Sequence, residues 1–283
     1  MRPITLKTGD IVPCGKCPQC LANQRQEWVF RLQREYEQSA FGLFVTLTYD
    51  DEHLPLCGVE KRDVQLFLKR LRKRFQAQEL RYYIVSEYGD HTHRPHYHGL
   101  FYFKNKQDEC AVYDLIEASW QNGFCSFGEV NEATIVYCTK YCLKGCVVPP
   151  GANPVFRLVS KMHGGLGSNY INDMYNFHTS ADNFDFAAAN GKRCRMPRYY
   201  KEKLLEAKYG GKNNPLFMKY KWRKRFETSA RLDRNYANDF SEFIRGKHFP
   251  TLFDAQVAFV EWQNGKHERE GELIKKHTKK QVL

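Results

Sequence analysis

From Phe41 to Lys144 the apolar residues change their spacing in a definite order, and that order limits the topologies open to the chain. Strands place alternate side chains on opposite faces, whereas helices return to one face every three to four residues. The β-branched and aromatic run from Phe41 to Tyr49 predicts a mostly buried strand. From Lys61 to Phe75, residues Val64, Phe67, Leu68, Leu71 and Phe75 make one helical face and Lys69, Arg70, Arg72, Lys73 and Arg74 the other, predicting a basic amphipathic helix. Strands over 81–88 and 96–103 follow, joined by Gly89-Asp-His-Thr-His-Arg-Pro95, whose Gly, Asp and Pro suit a hairpin connection. A helix over 111–121 stops at Asn122-Gly123, a short strand covers 124–130, and a helix over 131–144 ends at Gly145. The order β-α-β-β-α-β-α is that of the split βαβ, ferredoxin-like or RRM-like antiparallel sheet, so an α+β core with N- and C-terminal helical additions is expected.

Four segments are expected around this pattern. Residues 1–40 are a cysteine-rich segment and a helix over 19–40 carrying Leu21, Trp28, Leu32 and Tyr36; 41–148 are the core. Residues 149–198, with their Pro and Gly phrases, read as an irregular connecting region, and 199–283 as a basic helical region with a Lys-rich end. There is no internal repeat. The 44 Lys and Arg outnumber the 32 Asp and Glu, a balance that points to a polyanionic partner, and nucleic acid is the natural one. A membrane surface is disfavoured because the positive charge is scattered among aromatics and no long apolar run occurs. The first residues carry no apolar stretch of the kind that directs export. The ten cysteines are therefore expected in a reducing compartment, as core residues or metal ligands rather than disulfides.

Two clusters carry the chemistry. On a strand, His96 and His98 share one face and Tyr97 points to the other, so the two imidazoles could chelate a cation. If the preceding strand folds back across the hairpin, Glu87 lands close to the pair, and on the same face when it sits directly opposite one of them. Two His and one carboxylate leave coordination positions open for a phosphate oxygen and water. A lone His-x-His on a strand is also common as ordinary core or surface histidine, and His91 and His93 repeat the spacing within the turn. On the last helix, Tyr137 and Tyr141 lie one turn apart with Lys140 and Lys144 on the same side. Neighbouring ammonium groups would favour a phenolate and attract phosphate, although tyrosines at this spacing also serve simply to pack.

The combination of His96-Tyr-His98 with Tyr137-x-x-Lys140-Tyr141-x-x-Lys144 resembles the HUH endonucleases, specifically the two-tyrosine rolling-circle replication initiators of small single-stranded DNA bacteriophages. The phrases Phe44-Val-Thr-Leu-Thr-Tyr-Asp50, Ser86-Glu-Tyr-Gly89, Arg94-Pro-His-Tyr-His-Gly99 and Pro13-Cys-Gly-Lys-Cys17 look closest to the microvirus, gokushovirus-like, initiators. The resemblance runs from about Cys14 to Lys144 and is thin beyond Gly145. It implies a sheet presenting the His pair, a facing helix presenting the tyrosines, and Mg²⁺ or Mn²⁺ between them. It implies further that one tyrosine attacks the scissile phosphate, leaving a 5′-phosphotyrosine link and a 3′-OH that primes replication, while the second tyrosine permits resealing. Glu87 is the best-placed third ligand, with Asp50, Glu52 and Asp90 as runners-up. Origin DNA, single-stranded or supercoiled, would be the substrate, host helicase and polymerase the partners, and the host bacterial cytoplasm the location.

Three further features stand apart. Cys14-x-x-Cys17-x-x-Cys20 has three-quarters of the spacing of a structural zinc site, with Cys57, Cys146 or a histidine as the fourth ligand, and reads equally as a reduced thiol cluster; an iron–sulfur site is disfavoured because no further Cys-Pro follows. Gly164-Gly-Leu-Gly167 lacks the Gly-Lys-Ser/Thr of a phosphate loop and reads as a turn. Lys69, Arg70, Lys73, Arg94, Lys221 and Arg223 are the expected DNA contacts. The competing reading is a non-catalytic nucleic-acid-binding module, with zinc on the cysteines and bases stacked on its sheet.

Overall fold

The computed structural model describes residues 3–75, 80–106, 108–140, 148–161 and 164–280. In chain order its elements are β1 (Pro3–Thr5), β2 (Ile11–Pro13), α1 (Pro18–Glu37), β3 (Phe41–Tyr49), α2 (Lys61–Arg74), β4 (Leu80–Tyr88), β5 (Pro95–Phe103), α3 (Glu109–Glu117), β6 (Gly123–Glu129) and α4 (Glu132–Lys140). Beyond these come β7 (Arg157–Val159), α5 (Asn169–Asp173), α6 (Tyr175–Ser180), β8 (Phe186–Ala189), β9 (Lys192–Arg195), α7 (Arg198–Tyr209), α8 (Pro215–Ile244) and α9 (Leu252–Lys280). Two compact units result, one of residues 27–174 and one of residues 1–26 with 175–283, and the division falls inside α1. This grouping differs from the four segments read along the sequence. Residues 149–198 in particular are not uniformly irregular: β7, α5, α6 and the β8–β9 hairpin lie there.

In the unit of residues 27–174, five strands form one antiparallel sheet in the order β6-β3-β5-β4-β7. The first four strands have the order of a split βαβ sheet, and β7 extends it by pairing Tyr83 with Val159. Both faces of the sheet are covered, which is why β4 and β5 are buried along almost their whole length. On one face Leu43, Val45, Leu47, Ile84, Tyr97 and Phe101 pack against Val64, Phe67, Leu68 and Leu71 of α2 and Val112 and Ile116 of α3. Removing those four α2 side chains from water is worth roughly 6–12 kcal/mol before conformational entropy is counted. The helix is also well terminated. Glu60 accepts from the Arg62 N–H, Asp63 sits in the first turn, and Arg72, Lys73 and Arg74 sit at the negative end of the helix dipole.

The other face carries Tyr83, Val85, Leu100 and Tyr102, covered by Leu32 of α1, Ile135 and Cys138 of α4, and Leu166. Helix α4 begins with a reciprocal cap: Asn131 Oδ1 accepts from the Thr134 N–H and Thr134 Oγ1 accepts from the Asn131 N–H, each at 2.9 Å. The Gly164–Gly167 phrase is a turn that docks on α1. Its Gly167 N–H donates to Glu35 at 2.6 Å, and Arg31 donates twice to the Leu166 carbonyl at 3.0 and 3.2 Å. Gly123 opens β6 at φ +148, where a Cβ would lie 2.4 Å from the backbone of Thr48 and Asp50, so no other residue fits.

In the other unit, β2 lies against α8, with the Ile11 N–H donating to Ser229 at 2.9 Å and Arg225 pairing with Asp10. Helix α8 starts with the Asn214 side chain capping Leu216 and Pro215 at its first position. It packs on α9 through Tyr236, Phe240 and Phe243 against Phe259. Among the described residues no helix is long and apolar enough to cross a membrane.

Candidate active site

Strand pairing settles which side chains meet. Glu87 stands directly opposite His96 across the β4–β5 ladder, and Thr46 of β3 directly opposite His98 on the other side. With a strand period of two, Glu87, His96, His98 and Thr46 therefore share one face. Glu87 Oε2 lies 3.3 Å from His96 Nε2 and 3.1 Å from His98 Nε2. The three ligand atoms all fall within 4.8 Å of one another, and Glu87 and His98 are buried.

The outer hydrogen bonds orient the rings. A carbonyl can only accept, so the His96 Nδ1–H donates to the Arg94 carbonyl, 3.1 Å away, and directs Nε2 at Glu87. In neutral His96 that Nε2 is a lone pair facing a carboxylate, two acceptors in contact, and only a proton or a cation relieves them. The protonation tendencies reflect this. Burial works against a charged His96, but the Glu87 and Arg94 hydrogen bonds and the charges of Glu87 and Asp90 outweigh it and raise its pKa above the ordinary histidine value. His98 is held below that value, by burial first and then by repulsion from His96 and Lys140, against the pull of Glu87. Thr46 Oγ1 is 3.0 Å from His98 Nδ1, and Phe44 stacks on the same ring at 5.7 Å. Two imidazole nitrogens whose Nδ1 atoms are already bonded, converging with a carboxylate oxygen, are a donor set that fits a divalent cation with open positions.

Helix α4 brings the Tyr137 hydroxyl to 3.2 Å from His98 Nε2, its ring edge-on to the imidazole at 5.0 Å. The Lys140 ammonium stands over the Tyr137 ring at 4.1 Å. Tyr141, Lys144 and the cysteines Cys142 and Cys146 lie outside the described residues. Cys138 is a core residue.

Three phage proteins are similar to the chain along most of its length. The replication-associated protein VP4 of Bdellovibrio phage phiMH2K is 29% identical over 270 residues, covering 84% of this chain and 82% of that protein. The replication-associated protein ORF2 of Spiroplasma virus 4 is 29% identical over 221 residues, 69% of this chain and 68% of its own. The replication-associated protein ORF4 of Chlamydia phage 1 is 24% identical over 215 residues, 68% of this chain and 53% of its own. The family described as Replication-associated protein ORF2/gene 2 protein matches residues 42–146, the stretch that holds the whole site. Over those residues the chain is similar to this family. No solved structure matches it.

Not all the expected contacts gather at the site. Lys69, Arg70 and Lys73 ride on α2, which covers the sheet face opposite to the His pair. Arg70 donates to the Ser119 carbonyl at 2.8 Å. Arg94 donates to the Tyr49 carbonyl at 2.9 Å and pairs with Asp51, which ties the β4–β5 turn to the end of β3. Asp50 is engaged by His53, whose hydrogen bonds lower its pKa. Glu52, Asp90, His91 and His93 are exposed and outside the three-donor group. Lys221 and Arg223 lie on α8, in the other unit. Two residues of the site, Thr46 and Phe44, carry no role in the sequence reading beyond a family phrase. Their signal is the half-buried alternate positions of β3, but using it requires knowing that β3 pairs with β5.

Proposed function

We propose that the chain is a replication initiator that nicks single-stranded or supercoiled origin DNA by metal-dependent tyrosine transesterification. What supports this most is a single juxtaposition: the Tyr137 hydroxyl in contact with the His98 nitrogen of a three-donor set. Glu87, His96 and His98 would hold Mg²⁺ or Mn²⁺, and the bound ion would polarise the scissile phosphate and offset its developing charge.

The Tyr137 oxygen forms the new bond to phosphorus as the bond from phosphorus to the 3′ oxygen breaks. The phenol gives up its proton, the departing 3′ oxygen takes one, and the protein keeps the 5′ phosphate. One phosphodiester replaces another, so no nucleotide is consumed. The free 3′-OH then serves a polymerase as primer. Lys140, beside the Tyr137 ring, supplies positive charge where the phenolate and phosphate meet. Tyr141 and Lys144, further along the same sequence pattern, are the proposed second nucleophile and its partner for rejoining the strand. Basic residues outside the site, among them Lys69, Lys73, Lys221 and Arg223, would track the DNA backbone. The setting is the cytoplasm of an infected bacterium, with host helicase and polymerase completing the replication machinery.

The test is incubation with end-labelled single-stranded origin DNA and Mn²⁺ or EDTA, followed by denaturing gels, for wild type, Tyr137→Phe, Tyr141→Phe, the double variant and His96→Ala. A metal-dependent covalent adduct that disappears in the double variant and in His96→Ala is expected. Intact DNA binding with no adduct across several origins and metals would refute nicking and leave a zinc-bearing binding module.

A further inference from the structure

Outside the catalytic cluster, one other group of described side chains converges. Cys14, Cys17 and Cys20 bring their sulfurs within 4.8 Å of one another, and Cys17 and Cys20 are buried. All three are thiols rather than disulfides.

The backbone around Cys14 is arranged for negative charge. Gly15 takes φ +73, a left-handed conformation that turns the chain over Cys14. That turn directs the Lys16 N–H and the Cys17 N–H at Cys14 Sγ, at 3.4 and 3.2 Å. Two successive amides aimed at one sulfur make a small anion-binding concavity, of little use to a neutral thiol and well suited to a thiolate. Helix α1 begins at Pro18, so Cys17 and Cys20 bracket its first turn, where the helix dipole also favours negative charge. Pro18 at the start costs no hydrogen bond there. The Gly15 carbonyl, on the outside of the turn, accepts from Gln24 at 3.1 Å and closes the loop onto the helix.

From this geometry we infer that Cys14, Cys17 and Cys20 form a structural zinc site, with three thiolates on the metal and the fourth tetrahedral position filled from outside the trio. The ligand chemistry separates it from the catalytic set: thiolates select zinc, while Mg²⁺ and Mn²⁺ prefer oxygen and imidazole donors. The site would pin the corner between β2 and α1. Because Ile11 of β2 and Asp10 just before it are bonded to α8, the metal also secures the N-terminal hairpin on that helix. Nothing in this inference depends on the nicking reaction.

The experiment is elemental analysis of the full-length protein purified without chelator, together with cobalt substitution followed by absorbance. His96→Ala serves as the background, so that metal at the catalytic set does not count. Stoichiometric zinc in wild type and in His96→Ala is expected, together with an intense thiolate-to-cobalt charge-transfer band on substitution. Cys14→Ser, Cys17→Ser and Cys20→Ser should reduce zinc to background, and Cys57→Ser, an exposed thiol, should retain it. Iron with visible absorbance in place of zinc would overturn the assignment in favour of an iron–sulfur cluster. Metal-free wild type whose three thiols react freely with a thiol reagent in the folded state would overturn it altogether. Because the readout is metal content of the wild-type chain, a variant that fails to fold leaves the inference testable, and nicking activity does not enter the result.

Discussion

Replacing Thr46 by valine keeps the shape and strand propensity of the side chain and removes a single oxygen. That oxygen is the partner of His98 Nδ1, at 3.0 Å. When His98 Nε2 accepts from Tyr137 or binds a cation, the ring proton must sit on Nδ1, so in Thr46→Val a buried N–H is left without an acceptor. Such a loss costs about 1–3 kcal/mol of stability. Loss of an outer hydrogen bond to a ligating histidine ordinarily weakens metal binding about 10- to 100-fold, which is roughly 1.4–2.8 kcal/mol. Mn²⁺ titration calorimetry and urea denaturation should be run on wild type, Thr46→Val, Thr46→Ser and Thr48→Val. Thr46→Ser keeps the hydroxyl and should bind Mn²⁺ as wild type does. Thr48 bonds the Phe124 carbonyl instead, so its valine variant should leave Mn²⁺ affinity unchanged. The reasoning fails if Thr46→Val binds Mn²⁺ within twofold (~0.4 kcal/mol) of wild type, or if Thr46→Ser is impaired as badly as the valine.

Glu87→Gln removes the only carboxylate of the donor trio while keeping its size, and should weaken Mn²⁺ binding by at least about tenfold and abolish adduct formation at limiting metal, as titration and gel assays would show. His178 is fully buried, its Nδ1–H donates to the Asn183 carbonyl at 2.6 Å, and burial holds its pKa below the usual 6.5. In this case the unfolded chain takes up the proton first, so the contribution is complete above pH 6.5 and falls as acid is added below it. Denaturation between pH 5 and 8 should show that slope below 6.5 in wild type and a flatter one in His178→Asn, which keeps a donor but does not titrate. Gly123→Ala should cost about 3 kcal/mol or more, because it combines a forbidden φ with backbone overlap, and circular dichroism melting would detect it.

Much of the site was legible because it is built from strand parity over short chain distances. The strand expected from Phe41 to Tyr49 is β3 residue for residue, and Glu87 opposite His96 follows from a hairpin of alternating side chains. Other features depend on contacts that no local pattern encodes. Strand β7 spans only Arg157–Val159, too short to show a period, and exists because the β4 edge needs a partner. The expected 111–121 helix instead starts at Glu109, because Asp108 caps it, and ends at Glu117 before Trp120 turns inward to donate to the Thr48 carbonyl. The basic stripe of α2 was readable as an exposed face, but amphipathicity says nothing about which side of a sheet the helix covers. Arg70 and Arg94, expected as DNA contacts for their charge, spend hydrogen bonds on Ser119 and Tyr49 carbonyls that only the folded chain brings near.

The hairpin that carries Glu87, His96 and His98 also has a bearing on the order in which the protein is made. Closing so short a loop costs little chain entropy, and hairpins of this kind form in about 1–10 μs. Tyr137 reaches His98 only after β3, β5 and β6 have assembled and α4 has settled on them, contacts that span much more of the chain. An emerging or partly opened chain would therefore hold the Glu87, His96 and His98 donors before it holds the Tyr137 oxygen. Under the proposed function, a chain lacking α4 would keep its three metal donors without the reactive oxygen, so incomplete folding would err towards silence rather than towards stray cuts.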